Sequence, residues 1–116
     1  MTYYAINYDN TLPGILPVDL PADPTQMLHA CYDIIGCDMI ETVGTVIRGL
    51  VLVIDESGKL RDNWRSTVNT IATALYGYWR DPIVGVAILA SVDGDRLAPP
   101  TAAQMDIIRK HWTVTE

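Results

Sequence analysis

The chain has 116 residues and a formal net charge of −6. This is the size of one domain, and it buries enough surface to hold a core without disulfide or metal staples. Apolar residues make up 49% and charged residues 19%, which argues against a disordered chain, while the acidic balance argues against a surface that neutralises phosphates or lies on anionic lipid.

The charge is unevenly placed. Residues 1–47 contain Asp9, Asp19, Asp23, Asp33, Asp38 and Glu41 and no Lys or Arg, and the first base is Arg48. The remainder of the chain is neutral, so the whole imbalance lies in the first 47 residues. Such asymmetry marks either an interaction surface or a set of solvated acids. The N-terminus has no basic region followed by an apolar stretch, and no run approaches the ~20 apolar residues that span a bilayer. The chain therefore reads as a soluble, cytoplasmic protein. Two cysteines, Cys31 and Cys37, are too few for a disulfide scaffold and would stay reduced there. His29 and Cys31, two apart on a helix, point in different directions and cannot share an ion, so neither a metal nor another cofactor is expected.

In chain order, Thr2 to Tyr8 is rich in β-forming residues and predicts a strand. Asp9-Asn10 and Pro13-Gly14 supply turn chemistry, and Ile15 to Leu20 predicts an edge strand because it contains Pro17. Asp23, Pro24 and Gln26 have the arrangement of a helix start. Met27, Leu28, Cys31, Ile34 and Ile35 fall on one face, and Gly36 supplies a left-handed cap. Strands follow over 38–45 and 50–55, and the unbroken apolar run from Leu50 to Ile54 predicts burial on both faces. Asp55-Glu56-Ser57-Gly58 is a turn. A helix is expected within 64–79, starting near Asn69. A second apolar strand spans Ile83 to Val92, and Asp93-Gly94-Asp95 turns the chain. Thr101 with Gln104 opens a last helix, and Arg109, Lys110 and His111 suit its C-terminal dipole.

The expected order is ββαββαβα: one α+β domain with a mainly antiparallel or mixed sheet of about five strands and three helices. Its centre reads βαββαβ, so a ferredoxin-like sheet is one candidate. Two strands buried on both faces need cover on both sides. Either the last helix crosses over or a second copy packs against the sheet, which makes a homodimer one expectation.

Four segments carry a family resemblance. They are Ile35-Gly36-Cys37-Asp38-Met39-Ile40-Glu41, then Gly49 through Leu60 with Asp55-Glu56-Ser57-Gly58-Lys59, then Val68-Asn69-Thr70-Ile71-Ala72-Thr73-Ala74-Leu75-Tyr76-Gly77, and Asp81 through Leu89. Over about residues 24–92 the chain resembles a family of small phage and mobile-element proteins known as a domain of unknown function. Against that family's pattern, Cys37 stands where a second Gly is usual, and Arg61 to Thr67 reads as an insertion. The resemblance implies an origin and a cytoplasmic setting. It implies no reaction and no catalytic residue.

No constellation in the chain carries catalysis. His29 and His111 lie on predicted helices, away from strand ends, and no Ser or Cys is placed beside either. Paired acids at Asp55-Glu56 and at Asp93 and Asp95 are ordinary turn sequences. No phosphate-binding glycine loop is present. The aromatic residues are more informative. Phe is absent, so every ring is Tyr or Trp and carries a polar handle. Tyr76, Tyr78, Trp79 and Arg80 crowd into five positions, a composition enriched at interface hot spots. Helix geometry leaves at least one of these rings exposed.

The chain therefore reads as a small non-catalytic accessory protein that binds a host protein, with Tyr76, Tyr78, Trp79 and Arg80 as the interface. The alternative is a small-ligand or nucleotide-binding domain or enzyme with a pocket near Asp55, Asn69 and Asp81. Asn69 as a plain N-cap predicts that Asn69→Asp keeps the stability that Asn69→Ala loses. Nucleic-acid binding is disfavoured, because the long central strands carry no aromatic residue and no basic groove.

Overall fold

The computed structural model describes residues 1–8 and 14–115. The turn expected at Asp9-Asn10 and Pro13 lies outside the described residues. The elements are β1 (Thr2–Ile6), β2 (Ile15–Asp19), α1 (Pro24–Ile35), β3 (Ile40–Gly44), β4 (Leu50–Asp55), α2 (Thr70–Tyr76), β5 (Ala87–Asp93), β6 (Arg96–Ala98) and α3 (Ala102–His111). Two short 3-10 turns, Gly58–Leu60 and Trp64–Thr67, stand between β4 and α2.

The strands form one six-stranded antiparallel sheet in the order β2-β1-β5-β4-β3, with β6 paired to the end of β5. The fold is α+β with three helices, and β6 is the strand beyond the expected five. A ferredoxin-like arrangement would seat β1 between β5 and β4. Here β5 lies between β1 and β4 instead. The chain crosses from one edge of the sheet to the other through α1, and β5 later fills the centre.

Alternation along β4 divides the core in two. Leu50, Leu52 and Ile54 face α2 and α3, where Leu75, Met105 and Ile108 complete a buried cluster. Val51 and Val53 face α1, where Cys31 and Tyr3 complete another. All five apolar residues of β4 are buried, as the unbroken run predicts. One chain thus covers both faces of its own sheet, and the cover does not call for a second copy.

Local chemistry sets the helix ends. The Asp23 carboxylate accepts from the N–H of Gln26 at 3.0 Å, Pro24 follows it, and Gly36 closes α1 at φ +79°. Thr101 and Gln104 form a reciprocal capping box at α3. α1 packs less closely than its spacing predicts: Cys31 is buried and Leu28 is exposed. The helix expected within 64–79 is shorter, running from Thr70 to Tyr76. The strand expected from Ile83 begins only at Ala87, because Gly85 turns at φ +77° and Val84 pairs with Val68 in an isolated bridge.

The two sheet edges differ. In β2 the N–H of Leu20 bonds to the carbonyl of Met1, and Gly14 accepts from Asn7. Alternation therefore turns the backbone groups of Ile15, Pro17 and Asp19 outward. Thr115 donates to the outward carbonyl of Ile15, and Pro17 has no N–H to offer. In β3 the N–H of Thr45 bonds to Leu50 and Met39 accepts from Glu56. The backbone groups of Ile40, Thr42 and Gly44 thus face away from β4, and among the described residues no strand pairs with them.

Candidate functional site

A cleft of about 180 Å³ opens at the β3–β4 side of the sheet, on the face covered by α2. Glu41 and Val43 of β3 form one wall, with Ile54, Asp55, Glu56 and Lys59 along the next strand and its turn. Tyr76, Asp81 and the apolar residues Pro82, Ile83 and Val84 close the other side.

The residues anticipated for a ligand pocket divide here. Asp55 and Asp81 both line this cleft, whereas Asn69 does not. Asn69 is 0% exposed. Its side-chain oxygen accepts from the N–H of Ala72, and its nitrogen donates to the carbonyls of Ile6 and Gly85, both at 2.9 Å. Its polar groups are engaged inside the chain, where they tie α2 to β1 and to the turn at Gly85.

Asp55 is held as firmly. One carboxylate oxygen accepts from the N–H of Ser57 at 2.9 Å, and the other takes the Arg61 guanidinium through Nε and Nη2 at 3.2 and 2.8 Å. The Asp55 side chain is 8% exposed. The hydrogen bond to Asp55 raises the Arg61 pKa. Arg61, in the segment that reads as an insertion, thus neutralises the carboxylate of a residue that lines the cleft. Asp81 is 90% exposed and lies 3.7 Å from Lys59 Nζ. Glu41 and Glu56 have no ion pair among the described residues. The cleft is therefore negative at its mouth, with an apolar floor.

The four residues expected at an interface sit beside this cleft. Tyr76 ends α2 with its ring half-buried against the core, and the Arg80 guanidinium stands 5.0 Å over that ring. Tyr78 and Trp79 lie beyond the helix, 78% and 67% exposed. Their rings meet edge to face with centroids 5.5 Å apart. The Trp79 ring lies against Gly77, where a Cβ would stand 2.9 Å from it, and Gly77 takes φ +118°. Gly77 both turns the chain and makes room for the ring. The sequence signals two exposed rings only weakly, because their exposure depends on where α2 stops.

A larger cleft, of about 490 Å³, lies under α1, lined mainly by apolar side chains such as Tyr3, Met27, Leu28 and Leu97. The Tyr3 hydroxyl bonds to the Met27 sulfur at 3.9 Å, and burial raises the Tyr3 pKa. Sequence reasoning missed this cleft because it depends on the loose seating of α1 and on β6.

The family model for a domain of unknown function (DUF3846) matches residues 11–113. The chain belongs to this family. No curated protein and no solved structure matches it. The DUF3846 match is wider than the four quoted segments and takes in every element except β1. The acidic cleft and the aromatic corner therefore both lie within the DUF3846 domain. Among its described residues no helix is long and apolar enough to cross a membrane.

Proposed function

We propose that this DUF3846 domain is a non-catalytic binding protein that docks on another protein through the corner at Tyr78, Trp79 and Arg80. The braced, exposed pair of rings carries the reading. A soluble domain gains nothing from holding a Tyr and a Trp in water, and these are the side chains that dominate interface energetics. Their contacts with each other and with Gly77 limit the freedom that docking must freeze. The quoted segments support the setting: a phage or mobile-element accessory protein acting on a host protein, with modulation of host defence as the role.

The test is capture from host lysate with the wild-type chain and with Tyr78→Ser/Trp79→Ser. A stoichiometric partner held by the first and lost by the second supports the reading. Recovery of no partner, or equal recovery by both, overturns it. The ligand-binding alternative retains Asp55 and Asp81 in one cleft. Its 180 Å³ lies below the roughly 300 Å³ at which small-molecule pockets begin, whereas the cleft under α1 lies within that range. A thermal-shift screen of nucleotides and metabolites tests that alternative, and the absence of any hit removes it.

A further inference from the structure

We propose that the open edge of β3 takes up an extended, basic segment of the partner protein as an added antiparallel strand, with one Lys or Arg side chain entering the acidic cleft. This rests on the binding-protein reading and names the chemistry of the partner.

Three observations converge on that edge. The outward backbone groups of Ile40, Thr42 and Gly44 are a ready template for strand addition. The cleft begins at the same edge, because Glu41 and Val43 are the side chains that β3 sends to its wall. The cleft admits one side chain rather than a whole small molecule.

Register makes the match specific. Glu41 exchanges its backbone bonds with β4, so it would occupy a non-hydrogen-bonded position toward an added strand. The residue directly opposite it projects to the same face, with Cβ atoms about 4.5–5.5 Å apart. A cation there faces Glu41, with Glu56 lining the same cleft, the two carboxylates without an ion pair among the described residues. Charge complementarity selects a basic segment and disfavours a second copy, which would bring two acidic clefts together. The neighbouring strand residues, opposite Ile40 and Thr42, project to the α1 face.

The probe is a short fluorescein-labelled peptide of alternating Val and Lys. Its controls are a Val–Glu counterpart and a Val–Lys peptide N-methylated at its Val residues, which face β3 when Lys points into the cleft. Binding is read by fluorescence anisotropy, and the site by backbone amide shifts. The protein variants are Glu41→Gln and Thr42→Pro. The Thr42 N–H points away from β4, so Pro there removes no ladder bond. The Val–Lys peptide is expected to bind and to shift the amides of Ile40, Thr42 and Gly44. Glu41→Gln is expected to weaken it about tenfold. Thr42→Pro, N-methylation and the Val–Glu sequence are each expected to abolish binding. The N-methylated peptide asks the same question without altering the fold.

Failure of the Val–Lys peptide to bind overturns the inference. So does binding that survives N-methylation, or a dimer of the free chain that buries this edge. If a host partner is captured through Tyr78 and Trp79 while Glu41→Gln and Thr42→Pro capture it equally, this inference falls and the binding-protein reading stands.

Discussion

Asn69 combines two roles that substitutions can separate. As a cap, it needs only an acceptor for the Ala72 N–H. As a clamp, it must also donate to Ile6 and Gly85, which a carboxylate cannot do. Asn69→Ala is expected to cost about 3 kcal/mol in urea unfolding, the sum of a lost cap and buried carbonyls left unpaired. Asn69→Asp is expected to be destabilised as well, because it sets a buried charge against two carbonyl oxygens. This differs from the plain-cap expectation that Asp would serve. The thiols give a second test. Burial raises both Cys31 and Cys37 above the ordinary 9.0, and for Cys37 the Asp55 carboxylate adds to it. The folded chain therefore binds thiol protons that the unfolded chain releases. Stability is unaffected below the unfolded thiol value and falls as pH rises through it toward the raised folded values. Chemical unfolding across alkaline pH should show this decline, and Cys37→Ser/Cys31→Ala should reduce its slope.

An ion pair with Asp55 anchors the segment between β4 and α2. Arg61 reaches back to Asp55, and Trp64 lies 4.5 Å beneath the Arg65 guanidinium. Arg61→Ala is expected to lower the urea midpoint only slightly, since the Arg side is half in water. The loss should shrink as salt rises, and urea midpoints at low and high ionic strength check both points. The aromatic corner should behave oppositely. Tyr78→Ser and Trp79→Ser change stability by about 0.5 kcal/mol or less, because most of each ring is already exposed. Elements with self-contained chemistry were legible in the sequence. The caps of α1 and α3, the N-cap of α2 and the buried run of β4 follow from neighbouring residues alone. Elements fixed by distant partners were not. Val84 has strand composition but turns at Gly85 to meet Val68, and β6 forms only because β5 is long enough to pair it. The cleft was half legible for the same reason. Asp55 and Asp81 are polar residues flanking predicted elements, whereas Glu41 joins them only through the pairing of β3 with β4.

The sheet makes one folding unit of two cores, because β4 and β5 supply residues to both. Leu52→Ala on one face is expected to cost about 3 kcal/mol, and Val53→Ala on the other somewhat less. Circular dichroism and Trp fluorescence should nonetheless trace the same unfolding curve in each variant. Separate transitions would mean that the α1 layer unfolds on its own. Among the described residues, the acids of the first 47 positions fall on different elements. Asp23 is spent on a cap, Asp33 lies exposed on α1, and Glu41 stands on the open edge. The inequality of the two edges has a consequence for assembly. A chain that joins copies strand to strand needs a free edge at each end to propagate. Here Pro17 and Thr115 interrupt the β2 edge, so among the described residues the β2 and β3 edges are not equally open. A strand added at β3 finds no equally open continuation at β2, which works against a growing fibre.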